Sequence, residues 1–400
     1  MKKILFLIEF LLFERRMPGI RLKEIMKYLI RFNYKVFSYS FLNEYFFRDG
    51  FYRKSLKNFN FFVCVGRDYT NKNFLLKFFY KFIITLRSVR YIKKIVVTND
   101  IEKLWISTPK IYPLFFIYVA RIFRAIRRLE VILEYRDVWS LNEQLNFPKL
   151  KKCLLFNIEK FLIKRVDKFI FATELIKKTY MDYFGYTNKN IYDGLVLYTG
   201  FNPNYYKDKI IKNGRLTFTY TGSFYHSRNP LFFLRTIFDF IEVNNYCDDI
   251  MIYLILNYCQ SDIYNCVIEE RTKRNFNKIV KILNNITRRK VINYLSRSDI
   301  LVIITHSTKG SYDTLPGKMA EYVGAKKNIL AISNDPLVIE AIRNDKLGWV
   351  CSHNDKKALF NILTEIYEKW NRKSLVFKGN YTKYSVDERY KQLDNFLFSQ

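Results

Sequence analysis

The chain reads as an α/β protein with two doubly wound, mostly parallel sheets. Three observations predict this. Short apolar runs alternate with longer amphipathic segments, the pattern of strands joined by crossover helices. The series starts twice, near Lys3 and again near Leu216, with the polar, charged stretch Asn204–Arg215 reading as a linker between them. A length of 400 residues is enough for two domains with separate cores. With 49% apolar residues, disorder is not the default.

The first run, Lys2 to Phe10, imitates a secretion signal. Glu9 and Glu14-Arg15-Arg16 interrupt it and no small-residue cleavage site follows, so a buried strand over Lys3–Phe10 is expected. Pro18-Gly19 then precedes a helix over Ile20–Phe32, a loop-then-helix start at the sheet edge where open α/β sheets bind ligands. Further strands are expected at Lys35–Ser40, Phe61–Val65, Leu104–Ser107, Val131–Tyr135 and Lys168–Ala172. Helices are expected near Phe74–Lys93, Pro113–Arg128, Pro148–Lys164 and Glu174–Tyr183. In the second series, strands fit Leu216–Thr221, Ile250–Leu256, Lys278–Ile282, Ile300–Ile304, Ile329–Ile332 and Trp349–Cys351. Helices fit Pro230–Val243, Arg288–Ser296, Pro316–Gly324, Pro336–Arg343 and Lys356–Trp370, and Val386–Leu397 has helical spacing. A cleft between the carboxyl edges of two such sheets is a common ligand site. No apolar run reaches the ~20 residues that span a bilayer; Ile111–Ala120 is stopped by Arg121.

The net charge of +31 predicts an anionic partner: nucleic acid, anionic lipid or a phosphorylated substrate. Frequent Lys, Asn, Ile, Phe and Tyr match the bias of an AT-rich genome, which explains the lysines better than the arginines. Between Lys72 and Arg128 there are thirteen Lys or Arg and two acids, Asp100 and Glu102. On a helical wheel Leu75, Phe78, Phe79, Phe82, Leu86 and Val89 share one face and Lys77, Lys81 and Ser88 the other. That suits a crossover helix and equally an anionic membrane surface. The six cysteines have no C-x-x-C spacing and no histidine is placed to suggest a zinc site with them, so buried reduced thiols in the cytoplasm are expected and a zinc site is not.

The most informative stretch is Thr314-Leu315-Pro316-Gly317-Lys318-Met319-Ala320-Glu321-Tyr322. Pro316 fits a helix start, and Gly317 leaves the backbone open to close approach. Free amides of a first turn attract anions, and Lys318 adds a full charge there. Glu321, three residues on, shares its face. A lysine for phosphate beside a carboxylate for sugar hydroxyls is a nucleotide grip; an ordinary surface helix accounts for the segment equally well when it is taken alone.

The order of several segments resembles the family 4 glycosyltransferases, whose two-Rossmann-domain architecture is called GT-B. Pro18-Gly19-Ile20-Arg21 is similar to the family's loop after the first strand. Glu134-Tyr135-Arg136-Asp137-Val138-Trp139 resembles the Arg-Asp-x-Trp signature of one branch. Val196–Asn202 resembles the segment leading into the linker, with Thr199 and Asn202 as departures. Phe218–Ser223 resembles the first strand of the donor domain, Leu315–Ala331 the donor-site helix and its next strand, and Tyr384–Arg389 the tail helix returning to the first domain. The resemblance implies an acceptor-side domain over 1–200, a donor domain over 214–383 and a returning helix over 384–400.

It also implies a hexosyltransferase-type enzyme that moves a sugar from a nucleotide sugar to a hydroxyl with retention. Glu321 matches the second glutamate of the family's E-x7-E motif, which binds ribose, and Asp313 takes the place of the first. Lys318, with Gly317, and Arg228 are candidates for the diphosphate, with Arg21 as a substitute for the family's missing arginine at Ser223. Gly19 lets the first loop approach the donor. Arg136 and Asp137 are candidate acceptor or sugar contacts, Asp137 as acid or base; a structural Arg–Asp pair is an equal alternative. Trp139 is expected to pack, and His226, His306 and His353 to be solvated or core residues, His353 a peripheral one. No D-x-D is placed for a metal-bound diphosphate, so no metal and no other cofactor is expected. Expected partners are a nucleotide sugar, a glycan or lipid-linked acceptor of the lipopolysaccharide or capsule kind, and an anionic membrane, with the protein peripheral on its cytoplasmic face. A nucleic-acid-binding protein is the rival reading, though no helix-turn-helix, zinc finger or RNP-like motif supports it. A sugar-nucleotide epimerase of the same architecture is another.

Overall fold

The computed structural model of the chain describes residues 2–8, 17–42, 50–56, 59–65, 89–107, 129–141, 148–206, 214–307 and 315–398. The chain divides into two compact units, Met1–Tyr198 with Tyr390–Gln400, and Thr199–Arg389.

The first unit holds strands β1 (Lys2–Ile8), β2 (Tyr34–Leu42), β3 (Gly50–Leu56), β4 (Phe59–Val65), β5 (Lys103–Ser107), β6 (Glu130–Tyr135), β7 (Lys168–Phe171) and β8 (Leu195–Val196). They form one sheet in the order β3-β4-β2-β1-β5-β6-β7-β8. Every described pairing is parallel except β3 with β4. Between the strands run α1 (Met17–Arg31), a helical stretch α2 (89–99), α3 (Lys149–Ile163) and α4 (Glu174–Phe184). Leu5, Leu7, Leu104, Ile106, Val131, Leu133 and Phe169 pack with α2, α3 and α4 residues in one core. The alternate residues Phe6 and Trp105 stack on each other at 5.0 Å, and they too are buried. A sheet covered on both faces needs apolar residues at successive positions, so these strands read as continuous apolar runs.

Two charges sit inside this unit. Arg21 of α1 and Glu134 of β6 pair at 2.8 Å, both nearly without solvent contact. Arg21 Nη2 also donates to the Leu197 carbonyl at 2.6 Å, and Trp105 Nε1 donates to Glu134 Oε2 at 3.1 Å.

The second unit holds β9 (Leu216–Phe224), β10 (Ile250–Cys259), β11 (Val280–Asn284), β12 (Ile300–Ile304), β13 (Asn328–Ile332) and β14 (Gly348–Cys351). All described pairings are parallel, in the order β11-β10-β9-β12-β13-β14. The helices are α5 (Leu231–Asn244), α6 (Ser261–Lys273), α7 (Arg288–Arg297), α8 (Gly317–Gly324), α9 (Pro336–Asn344) and α10 (Lys356–Asn371). Phe218, Ile252, Leu254, Val302 and Leu330 pack with α5, α6 and α10. Leu301, Ile303, Ile329 and Ala331 point the other way, into a core with α7, α8 and α9.

The tail carries α11 (Val386–Tyr390) and α12 (Leu393–Phe398). One continuous helix was the expectation; a turn at Lys391-Gln392 separates the two. Tyr384 is buried in the second unit, where its hydroxyl donates to Asp345 at 2.6 Å. In the first unit Asp394 pairs with Lys2 at 3.3 Å and accepts from the Tyr34 hydroxyl, and Lys168 Nζ donates to the Phe396 carbonyl at 2.8 Å. Lys2, Tyr34 and Lys168 each open a strand, so α12 covers the amino edge of that sheet.

Other departures have local causes. Helix α1 starts at Met17, which puts Pro18 and Gly19 inside its first turn, where proline costs no hydrogen bond. The antiparallel strand β3 was not expected, because Arg53-Lys54-Ser55 breaks its apolar pattern. Helix α6 was missed because only Ile263 and Val267 of it are buried, too thin a stripe to read. Among the cysteines whose side chains are described, only Cys351 is the buried thiol expected from the sequence: Cys153 and Cys247 are exposed, Cys259 and Cys266 half-buried, all free. Residues 74–88 and 113–128, most of the basic block, lie outside the described residues. Among the described residues no helix is long and apolar enough to cross a membrane.

The buried ion pair sets a stability prediction. Burial alone would raise the Glu134 carboxyl, but the charges of Arg21 and Arg136 outweigh it and hold the group below its ordinary value. Glu134→Ala, which strands Arg21 in the core, is expected to cost about 3–5 kcal/mol in urea unfolding. A carboxylate depressed in the folded state stabilises above its unfolded pKa and ceases to do so as pH falls through the folded value. The native protein should therefore lose this contribution below about pH 4.3, and Glu134→Gln should show a flatter acid limb.

Candidate functional site

In the second unit the first strand of the series, β9, lies between β10 and β12, and chain connections leave in opposite directions on either side of it. Ligands of open α/β sheets bind outside the carboxyl ends at such a point. Three parts of the chain meet there: the end of β9 with the turn Tyr225–Arg228, the residues after β12, and the start of α8.

Helix α8 is seated by Tyr322. Its hydroxyl accepts the Thr221 N–H at 3.0 Å and lies 3.2 Å from the Val302 carbonyl, to which it donates. Tyr322 thereby ties the helix to β9 and β12. One turn earlier Lys318 reaches back over β9. Its ammonium donates to the Thr221 carbonyl at 3.0 Å and stands 3.9 Å from the centre of the Tyr220 ring. Gly222 makes room: with φ of +139° it holds a conformation open to glycine, and a Cβ there would stand 3.2 Å from Lys318 Nζ. Pro316, expected in the first turn, is the N-cap, with φ −56° and ψ 121°. Its ring suits that φ, and Gly317 becomes the first helical residue.

The electrostatics at this edge are positive and only partly compensated. Burial, and secondarily the charge of Arg228, push the Lys318 ammonium well below its ordinary pKa. Arg228 lies 5.1 Å from the Tyr225 ring centre, and its Nε is buried without a hydrogen-bond partner among the described residues. His306 follows β12, with Nδ1 3.1 Å from Ser227 Oγ. Burial, then the Arg228 charge, lower His306 to about 4, so it is neutral at physiological pH. His353, expected at the periphery, is instead buried, its Nε2 3.5 Å from Thr305 Oγ1. Strand ends β12 and β14 bring it in from the distant loop.

Glu321 is buried, and Arg288 at the start of α7 donates to its Oε1. Burial opposes the Arg288 charge, but Glu321 outweighs that and raises the guanidinium pKa. The Tyr206 hydroxyl, buried without a hydrogen-bond partner among the described residues, is raised by burial and then by the Glu321 charge. Arg288 and Tyr206 were not picked out from the sequence, and Gly222 and Tyr322 stood inside the quoted segments without a role of their own, since these roles come from what each residue faces. Asp313 lies outside the described residues.

In the first unit Gly19 is buried in the first turn of α1. Arg21, considered above for phosphate, is committed to Glu134 in the core. Arg136 and Asp137 follow β6 at the carboxyl edge. Arg136 is buried. Asp137 is exposed, yet enough protein surrounds its carboxyl for desolvation to raise its pKa against the pull of Arg136. The Trp139 amide donates to the Tyr180 hydroxyl at 3.2 Å. Among the described residues no cluster of His, Cys, Asp or Glu could hold a metal ion.

No protein-family model and no curated protein matches the chain by sequence. Solved structures do match. Sucrose-phosphate synthase from Thermosynechococcus elongatus is similar with a TM-score of 0.69 at 11% identity, over 99% of this chain and 98% of that one. HepE from Anabaena, in complex with UDP and glucose, has a TM-score of 0.67 at 14% identity, over all of both chains. A UDP-forming α,α-trehalose-phosphate synthase from Burkholderia xenovorans, in complex with glucose-6-phosphate, has a TM-score of 0.67 at 10% identity over 99% of both. At such identities the likeness establishes the fold, which is GT-B as the sequence implied.

A buried, under-compensated lysine destabilises the folded state it sits in. Lys318→Met is therefore expected to leave the ligand-free protein at least as stable toward urea at pH 7 as the native one. A loss of more than about 2 kcal/mol, the range of a removed structural contact, would show that the ammonium is there to hold β9 and α8 together.

Proposed function

We propose that the protein is a retaining glycosyltransferase of the Arg-Asp-x-Trp branch of family 4, moving a sugar from a nucleotide sugar to a hydroxyl of a lipid-linked or surface-polysaccharide acceptor. The observation that carries this is the juxtaposition of Lys318, Arg228 and the first amides of α8 at the strand-order reversal of the second sheet, with Glu321 one turn along. When the bond from C1 to the diphosphate oxygen breaks, negative charge grows on the leaving group. Preplaced cations and amides stabilise that charge without reorganising. Glu321 keeps Oε2 for the ribose hydroxyls while Arg288 engages Oε1. Its reach is fixed by the Tyr322 anchor in the next position. In the first unit Asp137 and Arg136 are the residues we assign to the acceptor. A carboxyl with a raised pKa near neutral sugars is suited to handling the proton of the incoming hydroxyl.

An anionic membrane surface as partner is supported by the outward side of α3. Leu150 is 85% and Leu154 59% exposed, on a helix that also carries Lys149, Lys151, Lys152 and Lys160 and whose one acid, Glu159, is buried. Apolar side chains among lysines suit a bilayer interface better than a nucleic acid, whose phosphates have no use for leucine. This reading puts the protein on the cytoplasmic face.

A thermal-shift panel of UDP-, GDP-, ADP- and CMP-sugars tests the donor site. A ligand at about 100 times its Kd stabilises by about 2.7 kcal/mol. We expect one nucleotide class to produce such a shift and Lys318→Ala and Glu321→Ala each to abolish it; full shifts in both variants remove the assignment. Product analysis without acceptor separates an epimerase, which would return an altered nucleotide sugar. In co-sedimentation at low salt, vesicles containing anionic lipid should carry the native protein down and release the Leu150→Glu/Leu154→Glu variant. Binding indifferent to lipid charge, or a salt-dependent shift of random DNA without any nucleotide-sugar turnover, counts against the reading.

A further inference from the structure

The turn Arg136–Trp139 hangs from a single buried carboxylate. Glu159, on α3, has no solvent contact. Its Oε1 accepts the hydroxyls of Tyr135 and Tyr180, each at 2.8 Å. Its Oε2 accepts the Ser140 amide at 3.0 Å. The Tyr180 hydroxyl in turn accepts the Trp139 amide at 3.2 Å. Tyr135 is the last residue of β6, directly before Arg136, and Ser140 directly follows Trp139. One carboxylate thus grips both ends of a four-residue turn, and Tyr180 grips it a third time. The Tyr135 and Tyr180 rings stack at 3.9 Å, which fixes where their hydroxyls point.

Such a network is a poor way to stabilise a core. Burial raises the Glu159 carboxyl pKa, and the hydrogen bonds from Ser140, Tyr135 and Tyr180 only oppose that. Apolar side chains of similar volume would fill the space without a charge to desolvate. What a satisfied polar network supplies is a unique geometry, because each donor must meet its acceptor at one angle and distance. Here the geometry specified is that of the turn carrying Arg136 and Asp137.

We propose that Glu159, acting with Tyr180, is a positioning residue for that turn: it sets the direction of Arg136 and Asp137 without touching substrate. The catalytic part of this inference rests on the reading of those two residues as acceptor contacts in sugar transfer.

The test joins amide hydrogen exchange with steady-state kinetics, on the full chain. Tyr180→Phe removes one oxygen and keeps the stacked ring; Glu159→Gln keeps the shape and loses the charge. Exchange is expected to quicken at Trp139 in the first variant and at Ser140 in the second, with protection elsewhere in the first unit unchanged. The kcat for transfer should fall roughly 10- to 100-fold, the cost of a small misplacement, while KM for the nucleotide sugar stays within about twofold. If Glu159→Gln does not fold, Tyr180→Phe alone carries the test. Unchanged exchange at both amides overturns the proposal, as does a rise in donor KM matching the loss in kcat, which would mark a general loosening. Local quickening of exchange in a protein whose native form transfers no sugar upholds the clamp and removes the transferase reading instead.

Discussion

A parallel sheet sends every loop that follows a strand to the same edge, and the chemistry of this chain depends on that constraint. In the second unit the turn after β9 brings Arg228, the loop after β12 brings His306 and the start of α8, and the end of β14 brings His353. These residues are far apart in sequence and have no local reason to meet. They meet because β9, β12, β13 and β14 run the same way side by side. In the first unit the same rule places Arg136 and Asp137 after β6, and Leu197, which accepts from Arg21, after β8.

Buried charge is handled in three ways. Arg21 and Glu134 neutralise each other, with Trp105 and a carbonyl taking up further hydrogen-bonding capacity. Glu159 is surrounded by donors that it in turn orients. Lys318 has neither solution. It faces a carbonyl oxygen and the face of a tyrosine, with a second cation close enough to depress its pKa further. The first two arrangements are complete without a ligand. The third has no carboxylate partner among the described residues, and a perturbed group at the reversal point of a sheet is a candidate ligand position. Glu321 lies between these cases, with Arg288 on one oxygen.

Polar groups in the interior hold individual elements in place. Tyr322 holds α8 through hydroxyl contacts to two strands, and Glu159 holds a turn through contacts at both of its ends. In each case a directional bond from the core fixes the position of an element. Apolar packing alone would seat the same elements with less angular definition.

The fold class was legible in the residue order because burial on both faces of a parallel sheet demands continuous apolar runs, and Ile300–Ile304 and Ile329–Ile332 show it plainly. Where the apolar pattern was broken or thin the reading failed: β3, with Arg53-Lys54-Ser55, and α6, with two buried side chains, passed unnoticed. Gly317, Lys318 and Glu321 could be read together because a helix start is a local event, spaced by one turn. The residues that complete their surroundings could not. Arg288 reaches Glu321 across 33 positions, Thr221 lies 97 positions from Lys318, and the Glu159 clamp spans 19 to 24 positions. By itself the sequence determined the alternation of elements and the helix start at Pro316–Glu321. Only the tertiary structure decided which charges are paired with one another and which are not, because that depends on neighbours set by strand order and not by distance along the chain.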